Sequence, residues 1–114
     1  MNDLEYYKFI TQKELTGSRY AHCLRVAEIA KKISLIAGYK KPEKAYLAGI
    51  LHDITKQKNV SFHKSLFEKY NFWQFVEFPE PAYHAYSATY YLVDRYNFKD
   101  EEVLSAIKKS YPWL

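Results

Sequence analysis

Three histidines and one aspartate in this sequence have the types and the placing to hold a cation. His52 and Asp53 are adjacent, His22 precedes them and His84 follows. Neutral imidazole nitrogen suits first-row transition metals, and a carboxylate adds charge and can bridge two ions. A metal so held lowers the pKa of its water toward neutrality and polarises a phosphoryl oxygen. Arg19, one helical turn before His22, and Lys56, just beyond Asp53, supply positive charge for phosphate groups. Spacing alone has little specificity. A helical histidine is more often a hydrogen-bonded core or surface residue than a ligand, and the local sequences must carry the rest.

These residues need helices to bring them together, and nearly every segment reads as helix. Leu4, Tyr7, Phe9, Ile10 and Leu15 give a first amphipathic stretch, broken by Thr16-Gly17-Ser18, whose hydroxyls are expected to cap the next helix. Tyr20, Leu24, Ala27, Ile29, Ala30, Ile33 and Ile36 recur at three- and four-residue steps until Gly38. Pro42 suits the first turn of a third helix ending near His52 to Thr55, and Ala45, Ala48 and Gly49 permit close packing on it. Ser61 is expected to cap a helix over roughly Phe62 to Tyr70. The Pro79-Glu80-Pro81 corner precedes a helix over Tyr83 to Tyr96, and Asp100 caps a last one through Ile107. The fold class is all-α, a helical bundle, in which facing helices commonly build metal sites.

The chain has 114 residues, enough for one domain with a core, and its 48% hydrophobic and 26% charged residues are those of a globular protein. Its net charge of +4 is scattered, without a basic run, which makes nucleic acid an unlikely partner and leaves a mild attraction for anions. The single cysteine, Cys23, excludes an intramolecular disulfide framework. The N-terminal MNDLEYYKF lacks a signal-peptide layout, and the apolar stretch Tyr46 to Leu51 is too short to span a bilayer. The expected location is cytoplasmic, without a membrane partner.

Three stretches carry a family likeness: Arg19-Tyr-Ala-His22-Cys-Leu-Arg-Val-Ala-Glu-Ile-Ala, then Ala48-Gly-Ile-Leu-His52-Asp53-Ile-Thr-Lys56, then His84-Ala-Tyr-Ser-Ala. Together they resemble the HD-domain superfamily, and within it the YqeK family of bacterial hydrolases, over about Thr16 to Ile107. The resemblance implies an HD-domain helical bundle and a metal-dependent phosphohydrolase cleaving diadenosine tetraphosphate, or a related nucleotide, to ADP. It implies a two-metal centre, usually described as iron. His22, His52, Asp53 and His84 match metal ligands, with Asp53 shared between two ions and so the catalytic residue, while Arg19 and Lys56 match positions near the substrate phosphates. A metal-bound hydroxide, rather than a protein nucleophile, would attack phosphorus.

The likeness breaks after Ala106-Ile107. There the family reads two residues, then His, Thr, Thr or Leu, and Gly, and continues into a helix bearing a further Asp. Here Lys108-Lys109-Ser110-Tyr111-Pro112-Trp113-Leu114 follows, with Ser110 at the fifth ligand position. The codons GCT ATC AAA AAT CAT ACC CTT GGT encode the family ending, and one added adenine yields Ala-Ile-Lys-Lys-Ser-Tyr-Pro-Trp, the residues seen from Ala106 to Trp113. A frameshifted member lacking the last core helices is therefore expected, with impaired activity and an exposed apolar face that invites dimerisation to a homodimer, aggregation or low stability; the plain alternative is an authentic divergent C-terminus.

Plain readings stand beside these. Cys23 reads as a buried structural thiol, His63 as solvent-facing, and Tyr83, Tyr86, Tyr90 and Tyr91 as packing rather than a base-stacking platform. The functional alternatives are a catalytically inactive nucleotide-binding or interaction module on the same scaffold and, further off, a basic RNA-binding helical domain.

Overall fold

Residues 3–110 are described in the computed structural model, and six α-helices carry them: α1 (Asp3–Glu14), α2 (Arg19–Ile36), α3 (Pro42–Leu51), α4 (Val60–Lys69), α5 (Tyr83–Tyr96) and α6 (Glu101–Lys108). Two short 3-10 turns, Trp73–Glu77 and Glu80–Ala82, bridge α4 to α5. No β-strand occurs among the described residues. The all-α expectation holds.

Helix α3 is the central element. It starts with Pro42, whose fixed φ suits a first turn, and its second half, from Ala48 to Leu51, is buried. α1, α2 and α6 all pack on it, α2 most extensively, while α5 packs on α4 and α6. The small residues set how near α2 can come. A Cβ placed on Gly49 would sit 2.5 Å from the Ala27 Cα, so the two backbones touch where a side chain would otherwise stand. Around this contact Ile50, Leu51, Ile54, Leu92 and Ile107 form a core with no exposure.

A second, aromatic core lies under α4 and α5. Phe67, Phe75 and Tyr83 are buried there, with Phe72, Phe78, Tyr86 and Tyr90 packed against them. The Phe78 and Tyr86 rings stack at 4.9 Å between centroids. Offset ring pairs of this kind add about 0.5–1.5 kcal/mol beyond the area they bury. Tyr83, Tyr86 and Tyr90 are therefore packing residues, as read from the sequence.

Helix ends follow local chemistry, with two departures. Asp100 caps α6 as expected, its Oδ1 accepting from the Glu102 and Val103 amides at 3.1 and 3.2 Å. Gly38 follows α2 at φ +77°, the left-handed turn that ends it. The α4 cap is Asn59 rather than Ser61: Asn59 Oδ1 accepts from the Phe62 amide at 2.8 Å, and Ser61 merely donates to that same oxygen. Ser18 makes no side-chain cap for α2. The outer face of α2 departs further, since Ile29, Ile33 and Ile36 are all exposed, Ile36 to 87%. No described helix is long and apolar enough to cross a membrane.

Candidate metal centre

Three chain segments converge on one point. The first turn of α2 carries Arg19 and His22, the turn after α3 carries His52 and Asp53, and the first turn of α5 carries His84. The turn after α3 folds back through bonds from the Ile54 amide to the Leu51 carbonyl and from the Lys56 amide to the Asp53 carbonyl. His52, Asp53, Ile54 and Thr55 are all buried in it. The loop before α2 is clasped from the same stretch. Gln57 Oε1 accepts from the Thr16 amide at 2.8 Å, and its Nε2 donates to the Thr16 carbonyl at 3.1 Å. Gly17, at φ +64°, lets the chain turn from that clasp into α2.

Asp53 is the hub. Its Oδ2 accepts from Arg19 at 2.9 Å and lies 3.6 Å from His22 Nε2. Its Oδ1 lies 3.4 Å from His52 Nε2 and 3.3 Å from His84 Nε2. One ligand atom each from His22, His52 and Asp53 falls within 4.8 Å of the others, a spread that a single ion can draw together. His84 stands outside that trio, on Oδ1, the oxygen that also faces His52.

The His52 ring carries the strongest sign of a cation. Its Nδ1 is 2.6 Å from the Gly49 carbonyl, which only accepts, so Nδ1 holds the proton. Nε2 then presents a lone pair, buried and without a hydrogen-bond partner, toward the Asp53 carboxylate. A cation held between these two facing acceptors would satisfy both. A backbone carbonyl fixing the remote nitrogen is also how metal-ligating histidines are usually oriented. The donor set of imidazoles and carboxylate fits a divalent transition metal.

Burial shapes the neighbouring groups. Burial holds the His22 pKa below the ordinary imidazole value, reinforced by Arg19 and opposed by Asp53. For His84, burial and then the Lys56 ammonium push the pKa down to about 4, against the pull of Asp53. Both rings are therefore neutral and ready to ligate at neutral pH. Cys23, fully buried beside Asp53, has its thiol pushed up to about 12 by burial first and by the Asp53 charge second. It is inert, as its position one step round the helix from His22 implies.

Arg19, His22, His52, Asp53 and His84 are thus brought together. Lys56 lines an open cleft of about 280 Å³ with Lys58, His63, Glu80, Pro81 and His84. Ser110, at the position where a fifth ligand was expected, is buried and donates to the Ile107 carbonyl at 2.6 Å. Tyr111 to Leu114, on which the frameshift reading also rests, lie outside the described residues. His63 corrects the sequence reading. It is buried, only 6% exposed, and not solvent-facing. Its place three residues after Val60 and four before Phe67, on the inward face of α4, was the available signal.

Comparison with known proteins agrees with this geometry. Residues 19–110 match the HD domain family. The chain is 31% identical over 107 residues to the symmetrical bis(5'-nucleosyl)-tetraphosphatase of Staphylococcus aureus, covering 93% of this chain and 55% of that protein. A protein of the same name from Halalkalibacterium halodurans is 30% identical over 100 residues, covering 87% and 53%. A probable nicotinate-nucleotide adenylyltransferase/Ap4A hydrolase of Mycoplasma genitalium is 30% identical, covering 95% of this chain and 31% of its own length. The chain therefore spans about half or less of the relatives it matches.

Proposed function

The chain belongs to the HD domain family, and we propose that it is a metal-dependent phosphohydrolase cleaving diadenosine tetraphosphate, or a related dinucleoside polyphosphate, to ADP. The orphaned lone pair of His52 Nε2 against the buried Asp53 carboxylate is the observation that carries this reading. The names of the relatives supply the substrate class. We assign iron as the resident metal on the family likeness, and the cytoplasm as the location, where a lone cysteine stays reduced.

His22, His52, Asp53 and His84 would hold the metal, with Asp53 offering one oxygen to the His22 side and the other to the His84 side. The metal, when bound, makes water acidic enough to supply a nucleophile at neutral pH and polarises the phosphoryl oxygen. The chain's own cations serve the substrate. Arg19, a third exposed, can offer its remaining donors to phosphate oxygens while anchored on Asp53. Lys56 sits at the cleft beside His84, where it meets charge developing on the transferred phosphoryl group. The low pKa of His84 keeps that ring from competing as a cation.

The test is metal analysis of the purified chain followed by an assay with diadenosine tetraphosphate. Stoichiometric iron or manganese, with ADP as the sole product, is the expected result. A protein that takes up no metal, yet still binds the nucleotide, would instead be a binding module. The Ser110 hydroxyl turned onto Ile107, where a fifth ligand was expected, favours that second reading.

A further inference from the structure

A buried hydrogen-bonded chain runs from α4 to the backbone of His84. His63 Nδ1 lies 2.6 Å from Ser87 Oγ, Ser87 Oγ lies 2.7 Å from Thr55 Oγ1, and Thr55 Oγ1 donates to the His84 carbonyl at 3.1 Å. Thr55 and Ser87 have no exposure, and His63 has 6%. The direction of the chain follows from its end. A carbonyl only accepts, so the one Thr55 proton goes to His84; Ser87 must then donate to Thr55, and His63 Nδ1–H to Ser87.

Such a chain is an unusual thing to bury. Three polar side chains leave water for it, and an apolar trio of the same shape would pack the joint without that desolvation. What the polar version adds is direction, because each bond fixes the next group. Its partners are three separate elements: α4 through His63, the turn bearing His52 and Asp53 through Thr55, and α5 through Ser87 and His84. It therefore ties the two halves of the candidate metal centre to one another, two residues beyond Asp53 on one side and at His84 itself on the other.

We propose that His63, Ser87 and Thr55 form a strut that positions the His84 ring against Asp53, with His63 as a positioning residue acting through the two hydroxyls. The assignment rests on the reading of His84 as part of the metal centre. Burial lowers the His63 pKa, against a weaker opposing hydrogen bond to the Lys58 backbone, which favours the neutral ring; the donor role of Nδ1 follows from the Thr55–His84 bond.

The experiment compares the full chain with His63→Leu, His63→Gln, Thr55→Val and Ser87→Ala. Nitrogen–carbon correlated NMR spectra of the histidine rings in metal-free protein are read beside the melting temperature. Titration with Mn²⁺ alone follows. The strut predicts that His84 ring resonances shift or broaden in His63→Leu, Thr55→Val and Ser87→Ala, while those of His22 stay in place. It predicts that His63→Gln, which keeps a donor, restores the His84 signals. Mn²⁺ affinity should fall roughly tenfold in the three disrupting variants. A merely structural role would lower the melting temperature and leave the His84 ring signals where they were, which overturns the proposal. Should any one variant fail to fold, the other two carry the comparison. If the parent protein takes up no Mn²⁺, the metal-centre reading fails, and the metal-free His84 spectra still decide the strut.

Discussion

At the scale of single residues, the site is built round one carboxylate that four other side chains approach. Asp53 has no alternative group to replace it, since both of its oxygens are engaged on opposite sides. Asp53→Asn should therefore weaken Mn²⁺ binding by more than about 100-fold, beyond what loss of an orienting partner does; retention of parental affinity by calorimetry would remove Asp53 from the ligand set. Cys23 makes the opposite prediction. With its thiol buried and pushed up to about 12, it should stay unreactive to Ellman's reagent in the native protein and react only as the chain unfolds. Fast labelling of folded protein would contradict that burial. That Arg19, His22, His52, Asp53 and His84 meet was legible in the sequence because motif neighbours mark them. His63 was misread because its residue type was weighed and its face was not: the step from Val60 to His63 to Phe67 is an inward stripe. The Thr55 and Ser87 hydroxyls carry no signal of their own, since only the fold brings them within 2.7 Å of each other.

At the scale of elements, two contacts decide whether the three ligand-bearing segments meet. The first is the α2–α3 crossing at Gly49. A methyl there would meet the Ala27 Cα at 2.5 Å, backbone that cannot step aside without moving α2. Gly49→Ala should therefore cost about 2–3 kcal/mol, the upper range for overpacking, measured by urea unfolding. It should also loosen Mn²⁺ binding, because the Gly49 carbonyl orients His52. Gly38→Ala is the control, with open space round its Cβ and only the cost of φ +77°. An equal loss at both positions would argue against a tight crossing. The second contact is Glu14 at the end of α1, which accepts from Tyr91 at 2.5 Å, Tyr96 at 2.6 Å and Lys58 at 3.2 Å. Burial alone would raise its pKa, but these three donors outweigh it and the net shift is downward from 4.5. A depressed carboxyl stabilises the fold above its unfolded pKa and loses that contribution as pH falls through the folded value. Glu14→Gln should cost about 1–2 kcal/mol near neutrality, and its deficit against the parent should close as pH drops below 4.5. A deficit constant with pH would rule out the charge as its source. The sequence placed α5 and the Asp100 cap of α6 correctly, yet it named Ser61 as the α4 cap where Asn59 serves. Two capping types stand two residues apart there, and the backbone at Asn59, extended at ψ 168°, settles which one serves.

At the scale of the molecule, α5 joins the two cores and the site lies along it. Tyr83 belongs to the aromatic cluster, Ala88 and Leu92 to the aliphatic one, and His84 stands between them. The candidate ligand residues are thus supported from both sides. The outer face of α2 is a different matter. Its isoleucines kept the helical period, and period reveals that a face is apolar but not whether anything covers it. Ile29, Ile33 and Ile36 lie at steps of four and three, so they form one stripe, with exposures of 54%, 61% and 87%. Scattered exposed apolar residues are ordinary, whereas a contiguous stripe favours association. The scattered net charge of +4 gives only mild repulsion between copies. We therefore expect self-association that rises with protein concentration in sedimentation velocity, and we expect the double substitution Ile29→Lys with Ile33→Glu to reduce it. These side chains stand about two to four turns beyond His22 along α2, roughly 10–20 Å at 1.5 Å per residue, so Mn²⁺ binding by the double variant should match the parent. A parent protein that stays monomeric across the concentration range would show that the stripe is tolerated in water, and that the helix period on α2 carries no interface.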